Sequence, residues 1–402
     1  MLDPRIYRTG LIVTALALVV LAFSLRDQPG ALSPTIAPDA FNGQNVYNSM
    51  NAIAHGDPSR RPGSRGDRSL ADQVYAKFSQ AGFAPSVDTF TGRTVDGTRG
   101  LRNVVGVRPG VRSGSIVVLA SRDALGSPSV AAASGTATLM ELSRDLAGET
   151  LGHTIVLAST SGTQGAAGAI RLASTLAGPV DAVIVLGDLA SAHVSQPIVM
   201  PWAGSHVIAP PQLRNTVTAA LSSQSSLSDA FTSLGGQFAH LAFPFTLGQQ
   251  APFGSQRIPA VEISLSGEPG PAADAALGPT AQLNGIGRAV LTSISALDAA
   301  PTIARPSSYL LLGGKVVPGW AVSLFVLALL VPVAMTTIDG VARARRRGYV
   351  IWRGLVLVLA AAVPFLLGLL VVVAGRLAGL FPVAPPGPVA PGAVPLDGGG
   401  VT

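Results

Sequence analysis

Ser121 and Asp123 follow the apolar run 116–120, so a hydroxyl and a carboxylate stand together at what reads as the end of a buried strand. A nucleophilic serine there would need a distant histidine as base, and the chain has no G-x-S-x-G elbow to expose it. Serine is abundant throughout, so loop hydroxyls are the expected role. Metal chemistry needs about three ligands from Cys, His, Asp or Glu, with a position left open for water. The chain has no cysteine, and its five histidines, His55, His153, His193, His206 and His240, form no H-E-x-x-H or H-x-H pair. His193, His206 and His240 could meet Asp188 only through space, and loop histidines without a shared task are the simpler reading. The glycines of 162–168 lack a following G-K-[ST], so no phosphate-binding loop is signalled.

These residues need a scaffold, and the surrounding pattern supplies one. The run 116–120 is short, continuous and rich in β-branched residues, as suits a strand covered on both faces. Ser134 is placed as an N-cap for a helix carrying Ala137, Met140, Leu142 and Leu146 at helical spacing. Upstream, a turn rich in Pro, Gly and Arg leads to a helix with Leu70, Val74 and Phe78 on one face, ending at Gly82, and 103–107 reads as a strand. The alternation predicts an α/β domain with a mostly parallel sheet flanked by helices.

The stretch 115–144 resembles the di-zinc aminopeptidase family, which includes bacterial leucyl aminopeptidases and glutamate-carboxypeptidase-like proteins. The family's A-H-x-D strand end matches Ala120, Ser121, Arg122 and Asp123, and its D-N-x-S-G-x-A block matches 131–137, with Ser134, Gly135 and Ala137 in place. The resemblance places the family's first histidine on Ser121 and its bridging aspartate on Ala131. Its D-G-E-E-x-G glutamates fall on Thr163 and Gln164, and no acid occurs between residues 150 and 180. Asp188, one residue late after the strand 183–186, is the one ligand position that keeps an acid. The final S-D-H-x-P-F and G-I-P-A-V-x-I-S blocks match 248–253 and 257–264, with the histidine replaced by Gln250.

The resemblance therefore implies a zinc-exopeptidase-like fold whose cleft positions are Ser121, Asp123, Ala131, Thr163, Gln164, Asp188 and Gln250, with no zinc or other cofactor expected. Asp123, which in the family orients the first histidine, is expected to accept hydrogen bonds from Ser121 or loop backbone. Glu141, two turns into its helix, is expected to be a structural anchor. Loops 121–133, 159–164 and 248–253 are expected around one depression lined by Ala, Ser, Thr and Gln, without clustered acids.

At 402 residues, with 48% apolar and 12% charged residues, the chain is too long and too apolar for one soluble domain. Apolar segments 10–25, 316–338 and 354–375 predict three transmembrane helices, the first being the shortest. Arg5 and Arg8 precede the first, and Arg343, Arg345, Arg346, Arg347 and Arg353 lie between the second and third, so both clusters belong on the cytoplasmic side. The expected layout is an uncleaved anchor (1–26), an extracytoplasmic α/β domain (27–300), a linker (301–315), a span (316–338), an Arg-rich cytoplasmic loop (339–353), a span (354–375) and a Pro/Gly-rich disordered tail (376–402). A cleaved signal peptide is the competing reading of the first segment, but no small-x-small site follows Leu25. Without Arg343, Arg345, Arg346 and Arg347 the net charge of +6 falls to +2, so the basic balance reports topology, not nucleic-acid binding.

The function expected from these features is that of a multi-pass plasma-membrane protein whose outer domain binds or assembles with a protein or peptide partner without catalysis. The alternative is a membrane-bound zinc aminopeptidase with displaced ligands. Reporter fusions check the topology: one after Pro306 is expected to report the outside and one at Gly348 the cytoplasm. An outside signal at Gly348 would remove the three-span layout.

Overall fold

The computed structural model describes residues 4–34, 40–126, 128–300, 302–348, 351–379 and 384–393. Pro301, Ser127, residues 349 and 350 of the expected Arg-rich loop, and residues 380–383 and 394–402 of the expected tail lie outside the described residues.

In chain order the first elements are α1 (Pro4–Phe23), β1 (Arg26–Asp27), α2 (Gly43–Gly56), α3 (Arg65–Gln80), β2 (Ala84–Thr94), β3 (Gly97–Arg108) and β4 (Ser115–Ser121). They continue with α4 (Ser134–Asp145), β5 (Thr154–Thr160), α5 (Ala167–Thr175), β6 (Val180–Leu186), β7 (Val199–Met200) and α6 (Pro211–Gln224). The last are α7 (Leu234–Ala242), α8 (Ala251–Ser255), β8 (Ala260–Ile263), α9 (Thr280–Ala299), β9 (Tyr309–Leu312), β10 (Lys315–Pro318), α10 (Gly319–Arg346) and α11 (Ile351–Leu377). They form two compact units: Met1–Asp27 with Ser308–Val383, and Gln28–Ser307 with Ala384–Thr402.

In the first unit, α10 and α11 are long and apolar enough to cross a membrane. The apolar part of α1, Arg8–Phe23, falls short of that length, so two of the three expected spans meet the criterion. Small residues let α1 and α10 approach closely: a Cβ on Gly10 would lie 2.7 Å from the Pro332 ring, and Ala17 and Ala328 are buried. The expected loop 339–353 is helical as far as Arg346, because arginine is a good helix former, Asp339 pairs with Arg343 one turn on, and cations suit a helix C-terminus. The expected linker 301–315 also carries structure. Tyr309–Leu312 pairs antiparallel with Lys315–Pro318 across the Gly313-Gly314 turn, whose residues both have positive φ. Strand β1 adds to this hairpin, with Asp27 paired to Lys315.

The second unit is built on a seven-stranded sheet in the order β2-β3-β5-β4-β6-β8-β7. The central β5, β4, β6 and β8 are mutually parallel, while β2, β3 and β7 pair antiparallel at the edges. The expected strand 103–107 is the end of the longer β3, which forms a hairpin with β2. Helices cover both faces, so β4 is apolar on both sides: Ile116, Val118 and Ala120 join the core under α2, α3, α4, α6 and α9, and Val117 and Leu119 join Leu172 of α5 and Phe253 of α8. The segment Ala384–Ala393 belongs to this unit, where the sequence pattern predicted a disordered tail.

A buried ion pair links this scaffold to the strand ends. Arg122, immediately after β4, lies 2.8 Å from the Asp67 carboxylate of α3, and both side chains are 0–1% exposed. Its guanidinium also donates to the carbonyls of Asp67 and Ser159, at 3.1 and 2.9 Å, and to that of Arg102. Asp67 in turn accepts from the Gly63 amide and the Ser161 hydroxyl. Burial lowers the Arg122 pKa against the opposing pull of Asp67 and Asp123. Arg122→Ala leaves Asp67 uncompensated in the core, and thermal unfolding is expected to show a loss of about 3–5 kcal/mol. A loss below about 1 kcal/mol would show that the pair does not hold the strand ends.

Candidate functional site

The turns that leave β4, β5 and β6, together with the segment before and after β8, enclose a cleft of about 290 Å³ at the carboxyl edge of the parallel strands. The three expected loops meet there directly. Asp123 accepts the amides of Gly162 and Thr163, at 2.8 and 3.0 Å, and the Thr163 hydroxyl at 2.8 Å. Gln249 reaches across with its side-chain amide, donating to the Thr163 carbonyl at 2.5 Å. Asp123 thus bonds the neighbouring loop, while the Ser121 hydroxyl lies 3.3 Å from that of Thr160.

Of the expected cleft positions, Ser121, Asp123, Thr163, Gln164 and Asp188 line the depression, and Ala131 and Gln250 do not. Ala131 is fully buried in the core, where a methyl group is better packed than exposed, and Ala132 faces the cleft. Gln250 is also fully buried, donating to the Thr246 hydroxyl at 3.2 Å, and Gln249 takes the lining position. Asp188 closes a tight turn, its Oδ1 accepting the amides of Ala190 and Ser191, while its buried Oδ2 has no hydrogen-bond partner among the described residues. Glu141 is an anchor as expected: Asn45 of α2 donates to its carboxylate, which also pairs with Arg144.

Two lining residues, Glu262 and Glu268, escaped the sequence pattern, and they correct the expectation of a cleft without clustered acids. Glu262 lies within the apolar strand β8, where the surrounding letters read as core, yet a glutamate at such a position is itself a signal because it is so rarely buried. Its carboxylate accepts the Gln249 amide at 2.7 Å. The approach depends on Gly248, where a Cβ would stand 2.6 Å from a Glu262 oxygen and 1.9 Å from the Gln250 side chain. Glu268 accepts from the Thr246 hydroxyl at 2.6 Å and the Leu247 amide at 2.8 Å.

Burial, reinforced by the charge of Glu268, pushes the Glu262 pKa up to about 8, so its carboxyl is mainly protonated at neutral pH. Burial and then the neighbouring Asp67 raise Asp123 to about 6, against the hydrogen bonds from Thr163. The acids are tolerated together because one holds its proton and the others are met by donors.

A di-zinc centre does not fit these side chains. Asp123 already receives three donors from the adjoining loop, Oδ1 of Asp188 is committed to its turn, and no histidine lines the cleft. Among the described residues, no group of three or more His, Asp or Glu side chains is arranged to hold a metal ion. The histidines are engaged elsewhere or exposed. His153 is buried with Asp298 at 3.4 Å, His206 meets the Leu241 carbonyl, His240 stacks on Trp202 at 4.1 Å, and His193 is exposed.

No family model and no curated protein sequence matches the chain. Among solved structures, the Legionella pneumophila LapA aminopeptidase aligns with a TM-score of 0.51 at 14% identity, over 66% of this chain and 73% of that one. A zinc aminopeptidase from Bacillus subtilis aligns at 0.49, with 10% identity over 63% and 94% of the two chains. The glutaminyl cyclase of Porphyromonas gingivalis aligns at 0.48, with 17% identity over 64% and 98%. The likeness to LapA is one of fold: a mixed α/β unit with a mostly parallel central sheet.

The raised pKa of Glu262 has a signed consequence. The folded chain holds this proton up to about pH 8, whereas an unfolded glutamate releases it near 4.5, so stability falls as pH rises across that window and levels off above it. Thermal melts at pH 5 and 8.5 are expected to differ by several degrees, with the difference largely removed by Glu262→Gln, which keeps an acceptor for Gln249. Parallel pH profiles for the two proteins would refute the assignment.

Proposed function

We propose that this chain is a membrane-anchored protein whose α/β domain uses a zinc-exopeptidase-like fold for binding or assembly, without peptide hydrolysis. The observation that carries the reading is the state of the cleft acids: each is capped by donors, closed into a turn or protonated, and no histidine stands among them. A hydrolytic zinc site needs the opposite, ionised ligands aimed at a shared point. Such a cleft suits a neutral or peptide-like ligand, presented by a protein or peptide partner.

In the same proposal α1, α10 and α11 are the three crossings of a plasma membrane, with α1 an uncleaved anchor and the α/β domain outside. The arginines before α1 and those between α10 and α11 all fall on the cytoplasmic side in this arrangement, which supports the orientation. Support also comes from chain continuity. Ser307 and Ala384 belong to one compact unit, and two crossings between them return the chain to the side it left.

One observation favours the second reading, a zinc metallopeptidase with displaced ligands: the free Oδ2 of Asp188 shares its cleft with Glu262 and Glu268. Elemental analysis of the full chain, purified without chelators, separates the two. Well under one equivalent of zinc is expected, and about two equivalents would overturn the non-catalytic reading.

A further inference from the structure

The segment Ala384–Ala393, sequence APPGPVAPGA, runs along the rim of the cleft: residues 385–387 meet the turn at Gly165, and residues 390–393 line the depression. It is uncharged, and prolines at 385, 386, 388 and 391 leave it few backbone donors. The rim uses two of them. The Gly387 amide donates to the Gly165 carbonyl at 3.0 Å, and the Ala390 amide donates to the side-chain oxygen of Gln164 at 2.8 Å. Beyond that point the Ala393 amide turns back to the Ala390 carbonyl at 3.0 Å, and residues 390–393 line the depression together with Asp188 and Glu262.

Coverage alternates along the segment: Pro385, Gly387 and Val389 are partly buried, while Ala384, Pro386 and Pro388 are exposed. The alternation runs from Ala384 to Val389, through a bend at Pro386 and Gly387, and ends before the chain turns at Pro391 and Gly392. The seat for Pro385 exists because residue 165 is glycine. Gly165 sits at φ +84°, and a Cβ there would lie 2.3 Å from that of Pro385. A proline-rich segment is already extended before it binds, so little conformational freedom is lost on docking.

From these contacts we infer that the cleft is a receptor site for uncharged peptides rich in proline, alanine and glycine, and that residues 384–393 are its resident occupant, bound in cis. The inference rests on the proposed binding role and names its ligand class. A tethered occupant acts at the high effective concentration set by its linker, so it shields the site from free peptides of the same kind until one is abundant or multivalent.

The absence of cysteine from the chain makes a direct test clean. In full-length protein, Gln164→Cys combined with Ala390→Cys is expected to react with a short thiol cross-linker at least tenfold faster than Ala390→Cys combined with Val111→Cys, which places the first thiol on an exposed residue. Equal rates overturn the inference. In a full-length variant with residues 384–393 replaced by Gly/Ser of equal length, a fluorescent APPGPVAPGA peptide is expected to bind at least tenfold more tightly than to the parent chain. Absence of binding to the variant, or equal affinity for the two proteins, also overturns it. Mass spectrometry of the recovered peptide and zinc content separate this failure from that of the broader reading. Peptide that binds but is cleaved by a zinc-loaded chain leaves the receptor site standing and removes the non-catalytic role; zinc-free protein that ignores the peptide does the reverse.

Discussion

The contact between Arg122 and Asp67 is the constraint on which the rest of the α/β unit turns. A guanidinium and a carboxylate that are both withdrawn from water persist only when each is met in full, and here α3, β3 and the end of β5 all contribute partners. The pair therefore binds four separate pieces of chain to one point at the carboxyl edge of the sheet. Asp123, next in sequence, is thereby delivered to the loop after β5, and its clamp on Thr163 sets the floor of the cleft.

Acids gathered at one edge of a sheet repel one another and lose hydration unless something offsets their charge. This chain keeps several acids at the carboxyl edge of its parallel strands, each stabilised in its own way. Asp123 is saturated by amides, Asp188 closes a turn, and Glu262 gives up its charge to burial. Under the proposed reading the space above these carboxylates serves recognition, since fold alone does not dictate activity.

Much of this was legible in the residues, for physical reasons. The apolar runs of β4 and β6 announce strands covered on both faces, and the shared Ser-Gly at 134–135 marks a helix pressed against the next strand: a Cβ on Gly135 would lie 2.5 Å from the Leu186 carbonyl. The convergence of three loops followed from the same sheet logic. Glu262 stayed hidden because its strand is apolar on either side, and although a glutamate in such a strand is a signal, the sequence does not show that burial leaves it protonated beside Glu268. Gln249 and Gln250 are adjacent, and only the backbone decides which faces the cleft. The β9–β10 hairpin carried a local signal in Gly313-Gly314, whose two positive-φ glycines form a turn between apolar runs that also fit a linker and the start of a membrane span. The docking of 384–393 left no local trace, since proline-rich composition reads the same whether a segment is free or held.

The occupant follows both apolar helices in sequence, and that order gives the cleft a history. A ribosome completes the α/β domain, then two apolar helices, and only afterwards the residues that line the site. In the proposed topology the segment reaches the cleft only after both helices have crossed. An occupied cleft would then mark a chain in which the two crossings between Ser307 and Ala384 are in place, and a chain in which either crossing failed would leave the site uncovered.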